Sequence, residues 1–310
     1  MYNPTKPYKH QILKLIESTW NTPYVKIERG LYPIITENFS LPEILHTDGI
    51  GTKGFYHWKR RTFNNAVIDA LAMNLNDLAM ARAVPYAMQN HIVLPKDDHV
   101  AILEIVKKLA VECRKRKIAI TGGETSIHSD MVGMDISITI SGFLKQRHKN
   151  QCKVGDVLIG LPSNGLHSNG ITKVREIFGK KYRKEFTEPT KIYLDQITPL
   201  LEKNQINGMM HITGGAFTKI KDILVNANAV IDAKKLNPQK IFFDIYSKVL
   251  SNKTMYSTFN CGIGFIISVP KEEVSKIISQ IKKAKIIGEL VKGNSEVYIK
   301  SAFDGKTIIL

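Results

Sequence analysis

The sequence predicts an α/β (α+β) protein of two domains, residues 1–148 and 149–310. Three observations predict it. Short apolar runs alternate with amphipathic segments along the whole chain. The polar, basic, aperiodic stretch KQRHKNQCKVGD at 145–156 interrupts that alternation near the middle. The composition, 310 residues with 43% hydrophobic and 23% charged, is that of ordinary globular protein.

In the first half, residues 43–46 read as a strand that ends in the polar turn Thr47-Asp48-Gly49. From 65 to 84, Ile68, Leu71, Ala72, Leu75, Leu78 and Ala79 follow helical spacing. Residues 91–94 form a strand, and Asp97 or Asp98 caps a helix over 99–116. A short strand at 118–120 runs into the turn Thr121-Gly122-Gly123-Glu124, and 136–143 closes the half as a strand. In the second half, a strand at 157–161 leads through a Ser/Asn/Gly-rich turn into a helix over 169–178. A helix at 191–202, a strand at 211–213 and a helix at 216–224 follow. The chain finishes with a strand at 262–269, a helix at 271–283 and strands around Ile286, Val297 and Ile308.

Three cysteines with no CxxC pair exclude a disulfide scaffold and a zinc ribbon, and fit a reducing cytoplasm. The longest strongly apolar stretch, 263–269, is far short of the roughly 20 residues that span a bilayer. No apolar segment marks the first ten residues as a signal peptide. A cytoplasmic protein with no membrane partner is expected. Forty-four basic against 28 acidic residues give +16, which suggests anionic ligands. The basic clusters are dispersed at the ends of periodic segments, where lysines balance helix dipoles. With no RNP-like strand, finger or basic arm, phosphorylated small molecules are preferred over nucleic acid.

Four segments carry the chemistry. HTDGIGTKG contains a formal GxGxxG (Gly49, Gly51, Gly54), but no clean helix is expected after it, so a dinucleotide fingerprint is a poor reading. A metal and phosphate turn fits better: Asp48 as a hard oxygen ligand, glycines for close backbone approach, Lys53 as counter-charge. On the helix VIDALAMNLNDLAMA, Asp69, Met73, Asn76 and Asp77 fall within a third of the circumference. Two acids beside an apolar stripe demand partners or a metal. IAITGGETS puts Glu124 after two glycines, and SNGLHSNG puts His167, Ser168 and Asn169 at a helix start, where free N–H groups favour an anion. Thr213-Gly214-Gly215 repeats that logic. Acidic turns in one half and anion-type turns in the other suggest a magnesium nucleotide and a phosphorylated substrate. No GxxxxGK[ST] motif is present, so the chain is not a P-loop enzyme.

These residues resemble the aminoimidazole ribonucleotide synthetase family, the phosphoribosylformylglycinamidine cyclo-ligases of purine biosynthesis. The matching pieces are TDGIGTK, NDLAM, GGET, VGDVLIGLPSNGLHSNG, EPTKIY, HITGGAF and MYSTFNCGIGFII, in the family's order over about residues 43–300. The resemblance implies a homodimer whose N-terminal sheets build an intersubunit β-barrel. It implies ATP-dependent closure of formylglycinamidine ribonucleotide to aminoimidazole ribonucleotide, ADP and phosphate, with Mg2+. By motif matching, Asp48, Asp77 and Glu124 would be metal residues and His167, Asn169 and Lys53 catalytic. Asp48, Gly49, Thr52, Asp69, Asn76, Thr121, Gly122, Gly123, Ser168, Thr213, Gly214 and Gly215 would line ATP or substrate.

The chain departs from the family in four places. Residues 1–30 carry no glycine-rich segment with Asp and Lys, SIHSDM follows GGET, Asn90 aligns with an acid, and Arg82 stands where glycine is common. The alternatives are a kinase resembling thiamine-monophosphate kinase, and a catalytically silent nucleotide-binding paralogue.

Overall fold

The computed structural model describes residues 7–30, 32–248 and 251–310. The chain forms two compact units. One runs to Leu78 and resumes over Ala83–Arg147; the other takes Ala79–Arg82 and His148–Leu310. Among the described residues no helix is long and apolar enough to cross a membrane, and the three cysteines are buried free thiols.

The first unit opens with α1 (Lys9–Glu17) and the hairpin β1 (Val25–Glu28) and β2 (Ile34–Glu37). Then come β3 (Glu43–Gly49), α2 (Gly54–Arg60), α3 (Phe63–Met80) and β4 (Ala83–Leu94). It ends with α4 (His99–Lys115), β5 (Ala119–Ile127) and β6 (Asp135–Leu144). The sheet order is β3-β6-β4-β5, with β4 and β5 parallel and the other pairs antiparallel. Asp98 caps α4 as expected, its carboxylate accepting the Ala101 amide at 3.0 Å.

Two expected turns are strand instead. Thr47, Asp48 and Gly49 extend β3, paired with Thr139, Ile138 and Ser137 of β6. Thr121 to Glu124 lie inside β5, with Gly122 to Glu124 paired to Gln89 to His91. Local composition favoured turns, but ladder partners far away in sequence satisfy the backbone better. The expected helix over 65–84 stops at Met80; Arg82 turns the chain in the left-handed region (φ 58), and β4 begins at Ala83. That φ favours glycine, and Arg82 adopts it at a cost in backbone strain. Contrary to expectation, a helix follows the glycine turn: a 3-10 turn, Gly51–Lys53, leads directly into α2.

Ile136, Ile138 and Ile140 are wholly buried inside the unit, while Ser137, Thr139 and Ser141 between and beyond them are half-exposed. Cross-strand register places Thr47, Thr139, Gln89 and Gly122 in one row of the outer face, and Gly49, Ser137, His91 and Glu124 in the next. These two rows are polar, because period-two alternation has already spent the isoleucines of β6 on the interior. At the other end of this face, Ala87, Ala119 and Phe143 are covered by Trp20, Tyr24, Ile27, Ile35 and Phe39 of the N-terminal segment. Thr19 and Trp20 close the β5 edge: the Thr19 hydroxyl accepts the Ile120 amide and the Trp20 indole donates to the Ile120 carbonyl, both at 2.8 Å.

The second unit contains β7 (Val157–Pro162), α5 (Ile171–Phe178), α6 (Leu194–Leu201), β8 (Gly208–His211) and β9 (Ala227–Asp232). After these come α7 (Lys240–Tyr246), α8 (Asn252–Thr258), β10 (Ile263–Val269), α9 (Val274–Gln280), β11 (Lys285–Lys292), β12 (Val297–Lys300) and β13 (Thr307–Ile309). Its sheet runs β13-β12-β9-β11-β7-β10-β8. β10, the longest apolar run in the sequence, is buried along its whole length between β7 and β8. Asp156 ties the start of β7 to β8 and β10: its carboxylate accepts the Ser268 hydroxyl at 2.6 Å and the Asn207 amide at 2.9 and 3.0 Å. The expected helix over 216–224 is a 3-10 helix, Ala216–Ile223, and the helix expected over 271–283 shrinks to α9 behind a 3-10 turn.

Candidate active site

In the first unit, register places His46 and Asp48 on the same face of the sheet as Ile140 and Ile138. There they meet α3. His46 Nδ1 lies 2.9 Å from Asn74 Oδ1, its Nε2 lies 3.2 Å from Asp77 Oδ2, and Asn74 Nδ2 donates to the Asp48 carbonyl at 3.1 Å. The Asp77 carboxylate, and then the Asn74 carbonyl, hold His46 above the ordinary histidine value against the effect of burial. The stability this pair contributes is complete below the ordinary value and is lost as pH rises through the raised one. Asp48 Oδ1 accepts the Gly49 amide at 2.7 Å, and Thr52 is exposed at the turn beyond.

Asp69 and Asp77 serve separate clusters. Asp69 is fully buried, as are Lys53 and His57. Lys53 Nζ is 2.9 Å from each carboxylate oxygen of Asp69, and His57 Nε2 is 2.8 Å from Oδ2. This corrects two readings: Lys53 is no phosphate counter-charge but a buried partner of Asp69, and Asp69 faces Lys53 and His57 rather than a ligand. A buried carboxylate held by internal donors cannot turn to a ligand without leaving them unpaired. Asn76 is wholly buried, and Thr121 is buried with its hydroxyl donating to the Met88 carbonyl at 3.2 Å; neither side chain faces solvent. Gly122, Gly123 and Glu124 lie on β5, where Glu124 Oε1 accepts the Thr125 amide at 2.7 Å.

Asp48 and Glu124 occupy strands at opposite edges of the sheet. Three interstrand steps of about 4.8 Å separate them by about 14 Å. Among the described residues no three His, Cys, Asp or Glu converge as a metal-holding group, so the set Asp48, Asp77 and Glu124 is not assembled. Asp48 and Asp77, linked through Asn74 and His46, are brought together. Asn90 falls in the same cross-strand row as Asp48 and Gly123.

In the second unit, the segment after β7 is fixed from beneath by Asn260. Its Oδ1 accepts the Ser163 hydroxyl and the Gly262 amide, both at 2.9 Å, and its Nδ2 donates to the Gly165 carbonyl at 2.8 Å. His167 is only 1% exposed and sits at φ 59. Its Nε2 lies 3.0 Å from Asn164 Oδ1, and its ring faces Tyr193 at 6.2 Å between centroids. His167, which the resemblance implies to be catalytic, is thus a buried group whose contact with Asn164 shapes the turn. Gly170, at φ 72, precedes α5, and a Cβ there would stand 2.3 Å from the Phe259 ring. Its N-cap residue, Gly170, carries no side chain that could cap the first amides.

Beside them, Ser168 Oγ meets Thr190 Oγ1 at 2.9 Å. Asn169 reaches the second glycine turn, its Oδ1 lying 3.5 Å from where a Cβ on Gly214 would stand. The Asn169 amide nitrogen is buried with no hydrogen-bond partner in the protein. Thr213 is buried, whereas Gly214 and Gly215 are exposed. The arrangement offers a polyoxyanion a buried side-chain donor and the amides of a helix start.

Sequence reading missed His46, His57, Asn74, Thr190 and Tyr193. For His46 a signal existed: it stands two residues before Asp48 and so shares its strand face. Asn74 likewise precedes Asp77 by three on a helix. Nothing local marks His57, whose partner lies twelve residues ahead on another helix.

Two family models match the chain: "AIR synthase related protein, N-terminal domain" over residues 40–144, and "AIR synthase related protein, C-terminal domain" over 153–300. A phosphoribosylformylglycinamidine cyclo-ligase of Saccharolobus solfataricus is 33% identical over 292 residues, 91% of this chain and 88% of that protein. One of Clostridium perfringens is 33% identical over 291 residues, 86% of each. Among solved structures, the hydrogenase maturation protein HypE in complex with ATP superposes at TM-score 0.72 with 15% identity, covering 100% of this chain and 96% of that one. The thiamine monophosphate kinase of Aquifex aeolicus gives 0.62 at 18% identity, over 87% and 90%. The fold is therefore shared with these proteins, and the two family models together with relatives 33% identical over most of their length show that the chain belongs to the AIR synthase related protein family.

Proposed function

We propose that the chain closes the imidazole ring of formylglycinamidine ribonucleotide, using ATP and releasing aminoimidazole ribonucleotide, ADP and phosphate. One structural observation carries the reading. The turns at 165–170 and 213–215 meet at Asn169, whose buried amide nitrogen lacks a protein partner beside the glycine-capped start of α5. That is a place for a phosphate or a phosphoryl group in transfer. The cyclo-ligase relatives, matched over nearly their whole length, support this reaction over phosphorylation of thiamine monophosphate. The ATP held by HypE supports the nucleotide.

In this reading the γ-phosphoryl of ATP moves to the formamide oxygen, turning a poor leaving group into phosphate. The amidine nitrogen then attacks the activated carbon, loses a proton, and phosphate departs. Ser168, Asn169, Gly170, Thr213, Gly214 and Gly215 hold phosphoryl oxygens through backbone and side-chain donors, so the closure needs mainly positioning. Asp48 and Asp77, with the Gly49 and Thr52 turn, take the MgATP end. Magnesium carried by phosphates keeps several waters and needs only one or two carboxylates, which this pair supplies; it neutralises phosphate charge. Incubating the purified chain with formylglycinamidine ribonucleotide and ATP should give the aromatic amine and ADP in equal amounts. ADP without the amine would overturn the ring-closure reading.

We also propose a homodimer built on the first unit's sheet, supported by the β3 edge and by Leu45 on the outer face (71% exposed). Sedimentation should give about twice the 34.9 kDa of one chain. A stable monomer at micromolar concentration would reject it.

A further inference from the structure

The cluster around Asp69 has no direct part in the proposed chemistry, yet it joins the pieces that do. Lys53 ends the 3-10 turn that follows the glycines, His57 lies on α2, and Asp69 lies on α3. Lys53 Nζ stands 2.9 Å from both Asp69 oxygens, and His57 Nε2 stands 2.8 Å from Oδ2. On its other side His57 Nδ1 lies 2.8 Å from the Thr62 hydroxyl, and the Thr62 amide donates to the His57 carbonyl at 3.1 Å. A neutral ring with the proton on Nε2 satisfies both contacts: it donates to Asp69 and accepts from Thr62.

A buried Lys–Asp pair is a poor source of net stability, because desolvating both charges offsets most of their attraction. What the third member adds is direction. Lys53 meets both carboxylate oxygens from the turn, and His57 meets one of them from α2. With His57 on Oδ2 it is held in one plane, and α2 is pinned to α3 at the same point. Asp48 lies five residues before Lys53. Asp77 lies eight residues beyond Asp69 on the same helix, about 12 Å along its axis. The two carboxylates proposed to receive MgATP therefore depend on this clamp for their relative placement.

We infer that His57 is a positioning residue for the MgATP end of the site: by orienting Asp69 and Lys53 it fixes the Gly49–Thr52 turn against α3. The inference rests on the reading given under Proposed function. The test compares wild type, His57→Ala and His57→Gln, measuring kcat, KM for MgATP, KM for the ribonucleotide, and thermal midpoint. His57→Ala should lower kcat/KM for MgATP about tenfold or more and leave the ribonucleotide KM within about twofold. His57→Gln, whose amide can donate to Asp69, should recover to within about threefold of wild type. Loss of thermal stability with unchanged MgATP parameters, equal losses for both substrates, no recovery with Gln, or an Ala variant that does not fold would each overturn the inference. A wild-type chain that binds MgATP but makes no amine would instead defeat the ring-closure reading. Calorimetric MgATP affinity across the three proteins would then decide the role of His57, with the same tenfold loss and recovery expected.

Discussion

Replacing Gly264 by alanine is expected to disable ring closure and to lower the thermal midpoint together. Gly264 lies on β10, and a Cβ there would stand 2.1 Å from the Tyr193 hydroxyl and 2.4 Å from His167 Cε1. Neither ring can retreat. Tyr193 is fully buried, donates to the Pro162 carbonyl at 2.9 Å, and packs on Phe265 at 5.3 Å between centroids. Overpacking of this kind destabilises by about 2–3 kcal/mol, about 5–10 °C in a unit of this size. Displacement of His167 carries the 165–170 turn with it, and a shift of about 1 Å at a phosphoryl site lowers turnover about a hundredfold. Calorimetry and single-turnover product formation on one preparation would show both. A variant with the wild-type melting point and rate would mean that the glycine's close approach is dispensable.

The second large effect is expected at Asp77. Asp77→Asn removes a charge from the pair linked through His46 and Asn74. A neutral amide is a much weaker magnesium ligand than a carboxylate. The affinity for MgATP should fall at least about tenfold more than the affinity for ATP measured in chelator, about 1.4 kcal/mol of difference. Titration calorimetry under the two conditions makes the comparison. Equal losses would mean that Asp77 serves only to hold His46, and would remove it from the metal set.

Both predictions turn on features of different legibility. The Gly264 contact was invisible in the sequence, where FNCGIGF reads as an apolar strand with flanking glycines. That this glycine faces a tyrosine 71 residues earlier depends on β10 pairing with β7 and β8. Asp77, in contrast, was marked by its place beside an apolar stripe in a helix with no lysine. The same argument paired it with Asp69, and there it failed. Helical phase tells which residues share a side, but the neighbours on that side come from other elements. His46 came from β3 for one acid; Lys53 and His57 came from the following turn and helix for the other.

By itself the sequence determined the α/β architecture and the family, because periodicity and motif order are local properties of the chain. Tertiary structure alone decided that Thr47-Asp48-Gly49 and Thr121 to Glu124 are strand. Their ladder partners in β6 and β4 outweigh turn-forming composition. It also separated Glu124 from Asp48 by the width of the sheet, buried Lys53 and His167, and turned the isoleucines of β6 inward. Each of these is set by which distant segment satisfies a backbone hydrogen bond or a buried charge, and that pairing is a property of the folded chain.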